Sequence, residues 1–120
     1  MLKKTLVIGA SENPSRYSFM AVNRLLAAGH EVIAVGAKKG RIRDVEILTD
    51  VKGIEDVHTV TLYVNPIHQK AYYDFILKLK PERVIFNPGT ENPDFEERLQ
   101  KGGVETVEAC TLVLLSIGQF

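Results

Sequence analysis

The residues able to do chemistry in this sequence gather in a few short polar stretches that interrupt apolar runs. The first is Gly9-Ala-Ser-Glu-Asn-Pro-Ser-Arg-Tyr-Ser18. A glycine closes an apolar run, a polar loop follows, and an amphipathic segment opens at Ser18. Such a turn aims backbone N–H groups and the positive end of a helix dipole at one point, which suits a phosphate. Side chains of Ser11, Asn13, Ser15, Arg16 and Ser18 add donors, beside the backbone of Gly9 and Ala10. A dinucleotide fingerprint would read Gly-x-Gly-x-x-Gly; only Gly9 is present, with Ser11 where the second glycine belongs. The plain alternative is a strand-to-helix turn in which a serine caps the helix.

The second stretch, Gly36-Ala-Lys-Lys-Gly40, says more about the ligand. An NAD site wants a carboxylate near the end of the second strand, to hold the ribose hydroxyls. Here Lys38 and Lys39 stand in that place. Two ammonium groups favour a ligand with a phosphate on its ribose, such as coenzyme A or NADP, over NAD. The alternative is a solvated basic loop. Further along, Val64-Asn65-Pro66 and Asn87-Pro88-Gly89-Thr90 each follow an apolar run, and Cys110 follows the last one. Gly, Pro, Asn and Ser allow close backbone approach and supply neutral hydrogen-bonding groups. Groups for acid–base work are scarce among them, which points to a binding cleft.

The histidines and the cysteine offer less. His30 and His58 sit in turns between elements and read as surface residues. His68 follows Asn65-Pro66 on the expected ligand side, as a helix-opening residue or a ligand contact. No histidine pair has the i, i+4 spacing of a metal site, and a lone cysteine builds no zinc knuckle. Cys110 reads either as a small core residue or as a thiol facing the cleft, able to form a mixed disulfide with a ligand thiol.

These stretches need a scaffold, and the apolar pattern supplies one. Thr5–Gly9 is a continuous, β-branched run, as in a strand buried on both faces. Phe19, Val22, Leu25 and Leu26 mark one face of a helix over 18–28, which Gly29 ends. With the strand over 31–35 they form a βαβ unit with parallel strands. Residues 36–44 read as a flexible basic connection, and 46–56 as a short edge strand followed by one helical turn. A strand over 59–64 is broken by Asn65-Pro66. A helix over 67–79 follows, with Ala71, Phe75, Ile76 and Leu79 inward. Then come a strand over 83–86, a helix over 93–101 with acids at its front, and a short strand over 104–107. The segment 109–117 is apolar nearly all round and is expected to be buried, on the sheet or against a second copy. The alternation predicts an α/β fold: a Rossmann-like, doubly wound three-layer sandwich of about five parallel strands. Ligands of such sheets bind beyond the carboxyl ends of the strands.

The chain has 120 residues, one domain over 1–120, with 45% hydrophobic and 25% charged residues. Fifteen basic and fifteen acidic residues balance, so no global field favours nucleic acid. The apolar run after Met1-Leu-Lys-Lys is too short for a secretory leader, and no run approaches a membrane span. One cysteine suits a reducing compartment, so a cytoplasmic location is expected.

Taken together, Val7-Ile-Gly-Ala-Ser11 with Arg16 and Ser18, Gly36-Ala-Lys-Lys-Gly40, Phe86-Asn-Pro-Gly-Thr-Glu-Asn92 and Ala109-Cys-Thr-Leu-Val113 resemble one family. It is that of the small single-domain CoA-binding proteins, which share the fold of the CoA-binding domain of the succinyl-CoA synthetase alpha subunit. The resemblance covers nearly the whole chain and rests on the order and spacing of several motifs. Many relatives carry Asn-Pro where this chain has Gly36-Ala37. The resemblance implies that Gly9–Ser11 and the following helix start meet the CoA phosphates. It implies that Lys38 or Lys39 faces the ribose phosphate or pyrophosphate. Val64, Asn65 and Pro66 would border the adenine, and Asn87, Pro88 and Gly89 the pantetheine. The synthetase's later ligase domain, with its phosphorylated histidine, has no counterpart in these residues, so ligase activity does not carry over.

The leading expectation is a cytoplasmic binder of coenzyme A or an acyl-CoA with no catalysis of its own. The alternatives are an NADP-dependent reductase, a component of a CoA-transferring assembly, and a redox or ligand sensor. The apolar C-terminal segment would serve as its contact with a second copy or a partner enzyme.

Overall fold

β1 (Thr5–Ile8), β2 (Val32–Val35) and β5 (Thr59–Leu62) carry no charged residue, and they form the middle of one sheet in the computed structural model, which describes residues 1–120. Between them in the chain run α1 (Tyr17–Ala27), β3 (Gly40–Ile42) and β4 (Val45–Leu48). The second half adds α2 (Pro66–Gln69), α3 (Tyr73–Leu79), β6 (Arg83–Phe86), α4 (Pro93–Lys101), β7 (Glu105–Glu108) and α5 (Thr111–Ser116). The strand order is β3-β4-β2-β1-β5-β6-β7. All pairs are parallel except β3 with β4.

Alternation along β1 sends its side chains to two separate cores. Leu6 and Ile8 pack with Val60, Leu62 and Phe86 under Ile76 of α3 and Phe95 and Leu99 of α4. Val7 packs with Ala34 and Ile47 under Val22 and Leu25 of α1, and Leu115 of α5 joins that side. The result is the doubly wound, three-layer α/β arrangement that the sequence predicts.

The sheet is wider than expected, with six parallel strands and one antiparallel edge strand. The extra edge comes from residues read as a basic connection. A hairpin turns at Arg43-Asp44, with Arg43 at φ 53°, and pairs Gly40–Ile42 with Val45–Leu48. Ile42 is the only apolar side chain of β3, so the strand left no periodic signal. No helical turn precedes Asp56; a plain turn at Lys52-Gly53 stands there.

The helix expected over 67–79 is broken. Asn65 caps α2 by accepting from His68 N at 3.0 Å, and a 3-10 turn over Lys70–Tyr72 leads into α3. Gln69, fully buried, turns inward at the break, while Ala71 is exposed instead of facing the core. The apolar C-terminal segment is also less buried than expected: Val113 on α5 is 52% exposed, and Ile117 just past its end is 60% exposed. Conversely, His30 is buried, its Nδ1 accepting from Lys3 N at 2.9 Å and its ring 5.0 Å from that of Phe120. No helix is long and apolar enough to cross a membrane.

Candidate functional site

The chain leaves β1 for β2 on one side and later adds β5 on the other, so the strand order reverses between β1 and β5. A crevice opens at such a point beyond the carboxyl ends of the strands. Gly9 forms its floor. Its φ of 97° is one that side chains rarely adopt, and an added Cβ would lie 2.9 Å from the Tyr63 carbonyl carbon. Gly36 is the second close approach, since a Cβ there would run into the Ala10 carbonyl oxygen. Hydrogen bonds lock these contacts. Gly9 N and Ala10 N both donate to Val35 O, at 2.8 and 3.0 Å, and Tyr63 N donates to Ile8 O at 2.8 Å.

Over this floor lies a cavity of about 1010 Å³. Gly9, Ala10, Ser11, Arg16 and Ser18 line it from the first loop and α1, and Gly36, Lys38 and Lys39 from the second loop. Val64 and Asn65 line it after β5, and Pro88 and Gly89 after β6. Pro66, Asn87 and Cys110, three residues expected at the ligand, are not in the lining. The lining also takes in Glu12, Tyr17, Tyr63 and Tyr72, which the sequence does not mark as ligand contacts, together with Thr90 of the Asn87–Thr90 stretch and His68. Tyr17 adjoins Ser18 at the helix start and was within reach of that motif; Tyr72 depends on the broken helix and left no signal.

The charge of the cavity is set by exposed groups. Arg16, Lys38 and Lys39 form no salt bridge, and Glu12 is the one carboxylate in the lining. The serine cap of the plain alternative for this turn is absent. Arg16 is the N-cap residue without a side-chain cap bond, and no acid sits in the first turn. Ser11 Oγ instead accepts from Asn13 N at 3.1 Å, and Ser15 Oγ donates to Asn13 Oδ1 at 2.8 Å. The first-turn N–H groups of a helix whose opening residues line the cavity therefore have no side-chain partner. Tyr63 brings no neutral-pH acid: its hydroxyl is buried beside those of Thr61 and Thr111, and burial pushes its pKa to about 12.

Asn87 is 2% exposed and works inside the fold. Its Nδ2 donates to Thr61 Oγ1 at 2.7 Å and Leu62 O at 2.8 Å, while its Oδ1 accepts from Thr111 N at 2.9 Å. It thereby caps α5 from the end of β6, a service Cys110, the half-buried N-cap residue, does not provide. Gln69 holds the neighbouring loops, donating to Val64 O at 2.9 Å and Thr90 O at 2.7 Å. Asn92 caps α4 at Phe95 N and donates to Gln69 Oε1 at 3.0 Å.

Residues 3–116 match the family described as the CoA binding domain. The chain belongs to that family. A solved structure described as an uncharacterized protein is 52% identical to this CoA binding domain, with a TM-score of 0.97 over 100% of this chain and 99% of the other. Cell-free ID.343 from Thermus thermophilus shares the fold at 23% identity and a TM-score of 0.84, covering 98% of this chain and 91% of its own. The dinucleotide-forming acetyl-coenzyme A synthetase 1 of Ca. Korarchaeum cryptofilum also shares it, at 14% identity and a TM-score of 0.73. There the likeness spans 90% of this chain but 26% of the synthetase. No curated protein matches the sequence at a significant level. Within this CoA binding domain, the polar network of Asn87, Gln69 and Asn92 lies behind the cavity and sets the loops that line it.

Proposed function

We propose that this chain binds coenzyme A, free or as an acyl thioester, in the cleft between the ends of β1 and β5, in the cytoplasm and without catalysis of its own. One observation carries the reading: an uncapped helix start and three unpaired cations share one cavity at the reversal of strand order. The diphosphate would lie against Ser11, Arg16 and Ser18, and the ribose phosphate against Lys38 or Lys39. Val64 and Asn65 would border the adenine, and Pro88 and Gly89 the pantetheine. Cys110 stands outside the lining, so no bond to the ligand thiol is included. The exposed apolar residues of the C-terminal segment, Val113 on α5 and Ile117 after it, would meet a second copy or a partner enzyme.

The charge-reversed variant Lys38→Glu/Lys39→Glu tests the assignment. CoA affinity should fall about tenfold or more at low salt, and its salt dependence should flatten. Unchanged affinity would remove the basic loop from the site.

A further inference from the structure

Glu12 is the one carboxylate in a cavity whose lining also holds the cations Arg16, Lys38 and Lys39, and simple electrostatics would count it against an anionic ligand. Its geometry gives it another task. Glu12 Oε2 accepts from Arg41 N at 2.9 Å, across 29 positions of sequence. The side chain lies flat on Gly40, where an added Cβ would come 2.6 Å from Glu12 Cγ. Gly36, at the other end of the same loop, is held against the Ala10 carbonyl. The segment Ala37–Lys39 is thus an arch with both feet fixed to the β1–α1 loop, and Lys38 and Lys39 stand on it, exposed and unpaired.

We infer that Glu12 is a positioning residue: by latching Arg41 N over Gly40, it holds the Lys38–Lys39 arch against the phosphate loop as one preformed anion site. Its effect on affinity rests on the reading that the cavity takes a phosphorylated ligand; the latch itself does not. A free arch would have to be ordered at binding, and ordering loops lowers affinity. The negative charge of Glu12 opposes the ligand, while its hydrogen bond prepares the site. The two effects separate by substitution, because glutamine keeps an acceptor and drops the charge, whereas alanine drops both.

Titration of CoA into Glu12→Ala should show affinity about fivefold weaker than wild type, the size of one lost hydrogen bond. Glu12→Gln should bind at least as tightly as wild type. Gly40→Ala, which displaces the Glu12 side chain, should weaken binding like Glu12→Ala and add nothing to it in the double variant. Glu12→Ala binding as tightly as Glu12→Gln would overturn the inference, as would additive effects in the double variant. Amide hydrogen exchange on the ligand-free protein reads the latch alone. Exchange at Arg41 N, the amide that Glu12 holds, should quicken in Glu12→Ala and stay near wild type in Glu12→Gln. Unchanged exchange in Glu12→Ala would overturn the latch. Faster exchange in that variant, in a protein whose wild type ignores CoA, would uphold the latch and sink the ligand reading instead.

Discussion

Replacing Asn87 by alanine should damage the fold before it damages the ligand site. The side chain satisfies Leu62 O and Thr111 N, two backbone groups in the interior, and bonds Thr61 Oγ1 as well. Thr61 keeps the Thr111 hydroxyl at 2.7 Å as a partner, but the two backbone groups lose theirs. At about 1.5 kcal/mol for each of the two buried orphans, the variant should lose about 3 kcal/mol. For a domain of this size that lowers Tm by about 12 °C. Thermal unfolding followed by circular dichroism measures it, and CoA titration well below the lowered Tm measures what remains of the site. Asn87→Asp should also destabilise at neutral pH, because a carboxylate has no donor for Leu62 O. A variant with wild-type Tm that loses CoA binding would refute this reasoning and return Asn87 to the ligand.

Gly9→Ala should lose about 2–3 kcal/mol, since φ 97° and the 2.9 Å approach to the Tyr63 backbone act together. Gly36→Ala should be similar, and wild-type urea midpoints for both would contradict the packed floor. Stability should fall as pH drops below 6.5, the ordinary histidine value. Burial first, then the positive charge of Lys3, holds His30 below it; burial and then Arg83 do the same for His58. The unfolded chain therefore takes up protons sooner than the folded one, and the stability from the neutral rings, complete above 6.5, declines below it. Urea titrations between about pH 5 and 7 should show this slope reduced in His30→Gln/His58→Gln; an unchanged slope would dismiss both rings as its source.

What the sequence discloses of this fold is the part written in backbone chemistry. Thr5–Ile8 and Val32–Val35 are charge-free runs closed by a glycine, and Thr59–Leu62 lies in one that ends at Asn65-Pro66; each became a central strand. Loops after such strands converge by topology, so Ser11, Lys38, Asn65 and Gly89 could be placed at one end of the sheet. Local pattern misses what depends on a distant partner. β3 is held by pairing with β4 and not by its own residues. Asn87 and Gln69 resemble surface amides until the carbonyls they bond are known. Glu12 looks like a loop acid until Gly40 and Arg41 fold against it. His30 reads as a turn residue because Lys3 and Phe120, which cover it, lie far off in sequence.

The most direct test of the central claim is calorimetric titration of the wild-type chain with CoA, dephospho-CoA, NADP and NAD in one buffer. The account predicts that CoA binds, that removing the ribose phosphate weakens it, and that both dinucleotides bind less well. NADP binding more tightly than CoA, or no binding by any of the four, would contradict it.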